Sequence, residues 1–173
     1  LYGDASLEKA LKEHIFGNIR KNEVFLARAA LNVQGFRPPL GWFGQIKTET
    51  KGPHQGLVDV KKAGIFAITE GVKILSLQAG ILDGGTRDRI KGLVDAGVLE
   101  PRMAGDLEAS FNYLVFQRLR GQVAAIARGE TPTNHISLED LNRMERGRFR
   151  LALEEVKKFL EHLRLCFRVD LLR

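Results

Sequence analysis

The spacing of apolar residues predicts helices along most of the chain. Apolar residues recur every three or four positions, which is the period of an amphipathic helix. The predicted helix over residues 6–34 is interrupted near Gly17 and Asn18. The predicted helix over residues 63–82 is apolar nearly all round, which is typical of a central helix. The predicted helices cover residues 6–34, 63–82, 86–96, 101–129 and 137–170.

Two short runs, residues 46–49 and 56–60, have the composition of strands and flank a turn-rich stretch around Pro53. They predict a β-hairpin, which two strands alone would barely stabilise. Ser137 with Asp140 resembles a capping box at the start of the last helix. The pattern therefore predicts a mainly α fold: an antiparallel helical bundle with a small β-hairpin near residues 44–61.

The apolar stripe of the helix over residues 101–129 contains two polar residues, Arg118 and Gln122, one turn apart. A buried guanidinium is costly unless it is paired. One hypothesis is a structural ion pair between Arg118 and Glu145 of the last helix, with Arg120 pointing away into solvent. The other is that Arg118 and Gln122 face a cleft and hold a substrate anion or a nucleobase, because an arginine fork suits phosphate or carboxylate.

At three further sites the sequence allows two interpretations each. Asn134 either stiffens its loop through backbone hydrogen bonds or contacts a ligand. Asp59 and Lys61 are either structural charges after the second strand, or Lys61 faces nucleotide phosphates. Trp42 and Phe43 follow a Pro-Pro pair and are predicted to be packed, whereas an exposed pair would mark a face that covers another domain.

Composition and charge argue against several other classes of protein. The net charge is +6 and is spread over both halves of the 173 residues, which does not favour a dedicated nucleic-acid surface. The densest basic run is Arg143 to Arg150. A single cysteine excludes an internal disulfide and fits a cytoplasmic protein. No apolar run is long enough to span a bilayer, and the four histidines lack metal-ligand spacing, so no metal site is predicted.

A series of motifs resembles a known family. In order they are Pro38-Pro39-Leu40-Gly41, residues 57–65 (LVDVKKAGI), Thr86-Arg87-Asp88-Arg89-Ile90, Arg118-Leu119-Arg120-Gly121-Gln122, and Gly129 followed by Pro132 and Asn134. Their order and spacing resemble the putative nucleotidyltransferase substrate-binding domain, over nearly the whole chain. Two positions depart from the family pattern. Members of the family often have histidine at the position of Gly121 and arginine at the position of Lys73.

The resemblance implies the C-terminal helical part of a bacterial signalling protein that also carries CBS or cyclic-nucleotide-binding modules, and extends to PII uridylyltransferase-like enzymes. It implies a nucleotidyltransferase domain upstream of Leu1, with residues 1–62 adjoining that domain and residues 63–173 forming the substrate-binding bundle of the same compact unit. Mg²⁺ and a nucleoside triphosphate are implied for the parent protein. This chain has no Asp-x-Asp pair and no Gly-Ser pair, so it is predicted to be inactive alone and to hold no cofactor.

Three functions follow from these observations. The first is an accessory substrate-binding bundle that positions an acceptor, such as a protein, or a nucleotide through Arg118, Gln122, Asn134 or Lys61. The second is a regulatory interaction bundle that binds no small molecule and forms a homodimer. The third is a nucleic-acid-binding bundle that uses Arg143 to Arg150, which the spread of charge makes the weakest of the three.

Overall fold

A computed structural model describes residues 3–172. Within them the chain forms six α-helices and a two-stranded antiparallel sheet, and it is 65% helical. The predicted mainly α fold is therefore confirmed. A π-helical turn (Lys61–Ile65) leads into the third helix. The elements are α1 (Ala5–Ile19), α2 (Glu23–Val33), β1 (Leu57–Asp59), α3 (Phe66–Ala79), α4 (Thr86–Asp95), α5 (Pro101–Ala127), β2 (His135–Ser137) and α6 (Arg143–Cys166).

Helix α3 lies at the centre of the core, as its apolar surface predicts. Ile68, Val72 and Leu75 are fully buried. A Cβ atom at Gly71 would lie 2.5 Å from Leu163 Cδ1, so only glycine lets α6 pack this closely on the backbone of α3. One hydrophobic cluster continues from α2 through α3, α4 and α5 to α6. No helix of the described chain is both long and apolar enough to cross a bilayer.

Two helix boundaries differ from the predicted ones. Gly17 and Asn18 lie inside α1, and the break comes later, where the Asn22 side chain accepts a hydrogen bond from the backbone N–H of Phe25 at 3.0 Å and starts α2. The last helix begins at Arg143 rather than near Ser137. An asparagine N-cap is as favourable as serine, so local capping decides both boundaries.

Residue Asn142 starts α6 through a reciprocal capping box. Its side chain accepts hydrogen bonds from the backbone N–H groups of Met144 (2.9 Å) and Glu145 (3.0 Å). In return, Glu145 Oε2 accepts from the backbone N–H of Asn142 at 2.9 Å. Because Glu reaches back to the N-cap better than a shorter Asp does, this box forms in place of the predicted one at Ser137 and Asp140.

The small sheet pairs different segments from the predicted hairpin. Strand β1 pairs with β2, in the register Leu57 with Ser137, Val58 with Ile136 and Asp59 with His135. The segment at residues 46–49 contributes only through Glu49, which exchanges backbone hydrogen bonds with Gly56 and Leu57. Val58 and Ile136 are both buried and face the core together. Burying this cross-strand pair requires a partner strand 78 positions away in the chain, which the local pattern does not reveal.

Candidate functional site

Asn134 joins the end of the small sheet to helix α5. Its backbone carbonyl accepts a hydrogen bond from the N–H of Val60 at 2.9 Å, just after β1. Its side-chain Oδ1 accepts from Arg118 Nε of α5 at 2.7 Å. Lys61 follows Val60 directly in the chain. The structure therefore places Arg118, Asn134 and Lys61, three of the predicted site residues, around one end of the sheet.

Arg118 has no anionic partner at this position. The side chain is half-buried, and it forms no ion pair with a carboxylate of residues 3–172. Asn134 is neutral, so it orients the guanidinium without cancelling its charge. The terminal nitrogens of Arg118 donate to no described protein group. This leaves an oriented fork of donors, which is the geometry that binds carboxylates and phosphates.

Two other predicted residues have different surroundings. The Lys61 ammonium lies 4.5 Å from the ring centroid of Phe66, within the range of a cation–π interaction. The Phe66 ring packs on Phe36 with a centroid distance of 5.4 Å. Gln122 is half-buried one turn beyond Arg118, and its side chain forms no hydrogen bond with the described residues. Lys61 is therefore held by an aromatic face, whereas Gln122 has free donors and an acceptor.

The predicted ion pair between Arg118 and Glu145 does not form. Glu145 Oε1 instead accepts from Arg120 Nη1 at 2.5 Å, so Arg120 is not the freely solvated residue that the helical wheel suggested. The backbone N–H of Asn142 and then Arg120 lower the pKa of the Glu145 carboxyl. Because the capping box fixes Glu145 at the start of α6, its position depends on where that helix begins.

A second polar cluster covers the outer face of the sheet. His135 Nε2 lies 3.2 Å from Glu49 Oε1 and 4.0 Å from Asp59 Oδ2. The His54 ring stacks on His135 with a centroid distance of 3.7 Å and an angle of 17°. Asp59 Oδ1 accepts from the backbone N–H of Lys62 at 3.0 Å, which confirms its predicted structural role. Sequence reasoning assigns no role to His54, His135 and Glu49, because only the β1–β2 pairing brings them together.

A cavity of about 630 Å³ lies between this cluster and α5. Gln117 lines it and is only 1% exposed, yet neither its amide nitrogen nor its amide oxygen has a hydrogen-bond partner in the part of the chain that the structure describes. Gly121, one turn later, allows β2 to approach, since a Cβ there would lie 3.2 Å from Ile136 Cγ2. Neither Arg118 nor Lys61 lines this cavity. The polar cleft expected around those residues is thus formed instead by their neighbours on α5.

Tyr113 is the polar neighbour of Gln117 one turn earlier on α5. Its hydroxyl donates to the backbone carbonyl of Glu145 at 2.8 Å. Burial raises the pKa of the Tyr113 phenol, and the nearby Gln117 amide opposes that shift. Because the Tyr113 hydroxyl donates its one hydrogen to Glu145, it has none for the Gln117 amide oxygen, which has no donor among residues 3–172. An unsatisfied buried amide costs on the order of 1–3 kcal/mol, so Gln117 needs an explanation.

A comparison with protein families decides the kind of domain. The family described as "Putative nucleotidyltransferase substrate binding domain" matches residues 23–167. The chain belongs to this family. The match runs from the start of α2 past the end of α6, so the sheet, α5 and the cavity all lie within it. Searches of curated proteins and of solved structures give no significant match.

The exposed apolar side chains of this substrate-binding domain include a neighbouring aromatic pair and a stripe along α5. Trp42 and Phe43 are 97% and 95% exposed, so the prediction that they are packed is wrong. They stand at a short turn in which the Gln45 side chain accepts from the backbone N–H of Phe43. Four apolar side chains also lie more than half exposed along α5. These are Phe116, Leu119, Val123 and Ile126.

Among residues 3–172, no group of three or more His, Cys, Asp or Glu side chains is arranged to hold a metal ion. Glu49 and Asp59 contact the His135 ring at distances of 3.2 and 4.0 Å. The described residues offer groups that suit recognition: an oriented arginine fork, side-chain amides and a polar cavity.

Proposed function

We propose that this domain holds an anionic substrate of nucleotidyl transfer beside a separate nucleotidyltransferase domain. The observation that carries the proposal is Arg118, a half-buried arginine that Asn134 orients and that no carboxylate of residues 3–172 neutralises. A fixed and uncompensated guanidinium attracts a phosphate or carboxylate with little loss of side-chain freedom on binding.

The neighbouring residues support the same role. Asn134 was predicted either to stiffen its loop or to meet a ligand, and its side chain bonds Arg118 rather than the backbone. The loop is stiffened by Thr133 instead, whose hydroxyl accepts from the backbone N–H of His135 at 3.2 Å. Lys61 adds a second cation near this end of the sheet, and Gln122 adds a neutral donor and acceptor.

The transfer step itself is assigned to the partner domain. Nucleotidyl transfer relies on bound Mg²⁺ and on positioning of the triphosphate. In this proposal Mg²⁺ and the nucleoside triphosphate belong to the catalytic domain, and the present domain alone catalyses no transfer. The parent protein is then a bacterial, cytoplasmic signalling nucleotidyltransferase with CBS or cyclic-nucleotide-binding modules, and Trp42 and Phe43 are the side chains we expect its catalytic domain to cover.

The test is a calorimetric titration of the purified chain with inorganic tripolyphosphate. We expect the wild type to bind and Arg118→Met to bind about tenfold more weakly or worse, with its unfolding midpoint nearly unchanged. Arg87→Met is the matched control, because Arg87 is an exposed arginine on α4 that pairs with Glu108 at 2.8 Å. Equal binding by wild type and Arg118→Met would refute the assignment of this site.

The alternative, a regulatory bundle without a small-molecule ligand, draws support from the exposed apolar stripe of α5. The spacing of Phe116, Leu119, Val123 and Ile126 is three, four and three, as in a coiled-coil seam. This alternative predicts a homodimer that Val123→Glu dissociates, and no response to tripolyphosphate. Size-exclusion chromatography with light scattering gives the molecular mass of the wild type and of Val123→Glu, and so distinguishes the two functions. The family description itself favours substrate binding.

A further inference from the structure

We propose that the cavity beside Gln117 is a nucleobase subsite. The inference deepens the proposed function and rests on it, because it assigns the substrate of this domain a heterocyclic base in addition to an anionic group. The cavity lies between α5, β2 and the His54 turn and encloses about 630 Å³, enough for a nucleoside.

The cavity is lined by residues whose hydrogen-bonding capacity is unsatisfied. Both amide atoms of Gln117 lack partners although the residue is 1% exposed. His135 Nδ1, on β2, is also buried and has no partner among residues 3–172. The Tyr113 hydroxyl donates its one hydrogen to the Glu145 carbonyl, so it has none for the Gln117 amide oxygen. Two unpartnered groups on facing elements indicate that a polar molecule completes the site.

The geometry of the Gln117 amide matches the edge of a nucleobase. A glutamine side chain presents one donor and one acceptor side by side in a plane. Nucleobases present the complementary pair along an edge, and glutamine reads adenine in this bidentate way. Gln117 lines the cavity with both amide atoms covered, so in this proposal its side chain turns toward the bound base, whose edge an amide matches better than it matches a phosphate.

Imidazole rings and hydroxyl groups also line the cavity. The stacked rings of His54 and His135 form part of the wall, and base stacking on flat side chains is a common mode of nucleotide recognition. Thr131, Thr133 and Ser137 line the same cavity and carry hydroxyl groups that suit a ribose. These features together fit a nucleoside better than a small carboxamide, which would leave most of the cavity empty.

The experiment uses the full ¹⁵N-labelled chain and four uncharged nucleosides: adenosine, guanosine, cytidine and uridine. The readout is the side-chain Nε2 signal of Gln117, identified by its loss in Gln117→Leu. We expect at least one nucleoside to shift this signal and the backbone signals of Gly121 and His135 with a common saturation curve. Because nucleosides lack phosphates, the result does not depend on Arg118.

The variants separate recognition from folding. Gln117→Leu should bind the nucleoside about tenfold more weakly or worse, and it should unfold at the same or a higher temperature because an unsatisfied amide is removed. Gln117→Met serves as a second apolar replacement. Gln78→Leu, an exposed position on α3, is the matched control and should bind like the wild type.

Two results would overturn the inference. One is the failure of all four nucleosides to shift the Gln117 signal, in which case only water fills the cavity. The other is equal nucleoside binding by wild type, Gln117→Leu and Gln117→Met. If tripolyphosphate still binds in either case, the proposed function stands and only the base subsite fails. If neither nucleosides nor tripolyphosphate bind, both proposals fail.

Discussion

Arg118 and Arg120 are two residues apart on the same helix, yet they have opposite electrostatic surroundings. Arg120 donates to the carboxylate of Glu145 at the start of α6. Arg118 donates to the neutral amide of Asn134 at the end of the β1–β2 sheet. A carboxylate neutralises the arginine that it binds, whereas an amide only orients it. The comparison shows that the partner, rather than the arginine, decides whether its charge remains available to a ligand.

Each arginine also depends on an asparagine. Asn142 caps α6 and holds Glu145 for Arg120. Asn134 holds Arg118 directly and anchors Val60 through its carbonyl. The Arg120 side of α5 is therefore tied to a helix start, and the Arg118 side to a strand end. Four substitutions test this difference.

The largest expected effect is at Leu114, which is fully buried on α5 one turn before Arg118. Leu114→Ala should lower the free energy of unfolding by about 3 kcal/mol, because it leaves a cavity in the core that α5 packs against. Urea unfolding measures the loss. The matched control is Leu119→Ala on the exposed side of α5, which should stay within about 0.5 kcal/mol of the wild type. Equal losses would contradict the observed burial.

The next largest effect is a loss of stability at Asn142, which holds Glu145 in place for Arg120. Asn142→Ala removes the acceptor for the N–H groups of Met144 and Glu145 and should cost about 1 kcal/mol in the free energy of unfolding. Tripolyphosphate binding should be unchanged, because Arg118 is untouched. Asn112→Ala, at an exposed position of α5, provides the comparison. A loss of tripolyphosphate binding in Asn142→Ala alone would show that the two arginine sites are not independent.

A smaller loss of stability is expected at the support of Arg118. Asn134→Ala removes one side-chain hydrogen bond and should cost about 1 kcal/mol or less in unfolding free energy. Tripolyphosphate binding should weaken, but less than in Arg118→Met, since the guanidinium remains and only its orientation is lost. Calorimetric titration of Asn134→Ala and Arg118→Met shows which of the two binds tripolyphosphate more weakly. Unchanged binding in Asn134→Ala would mean that orientation of Arg118 does not contribute.

The smallest effect is a dependence on pH at Glu145. The Asn142 N–H, followed by Arg120, lowers the pKa of this carboxyl in the folded state, so its stabilising contribution is present above the unfolded pKa and is lost as the pH falls through the folded pKa. Glu145→Gln keeps the capping box but cannot ionise. The difference in unfolding free energy between wild type and Glu145→Gln should therefore be larger at pH 7 than at about pH 3. A difference independent of pH would contradict the ion pair with Arg120.

Much of the helical framework was predictable because it depends on neighbours in the chain. The helix predicted over residues 101–129 is observed as Pro101–Ala127, opened by proline and followed by Gly129 with a positive φ of 72°. Helix α3 was recognisable as central from its apolar surface. The order of the motifs also predicted the family, which the match over residues 23–167 confirms. Helical period, capping preference and motif spacing are all properties of local sequence.

The candidate site was predictable only in part. Arg118, Gln122, Asn134 and Lys61 were predicted as site residues, and that role remains a prediction. Three of them meet around one end of the sheet, although Arg118 has a different partner from the one expected. Gln117 was not singled out, because on a helical wheel it is one more polar residue. Its burial and its lack of partners depend on where β2 lies.

The amino-acid sequence determined the helices, the family and the unusual position of a charged residue on an apolar stripe. The folded chain decided which partner each arginine has, which segment pairs with β1, and that a cavity lies beside Gln117. The physical reason is the range of the interactions. Helix formation and capping act within one or two turns, whereas ion pairs, strand pairing and cavities join residues that are distant in the chain and depend on ångström-scale packing.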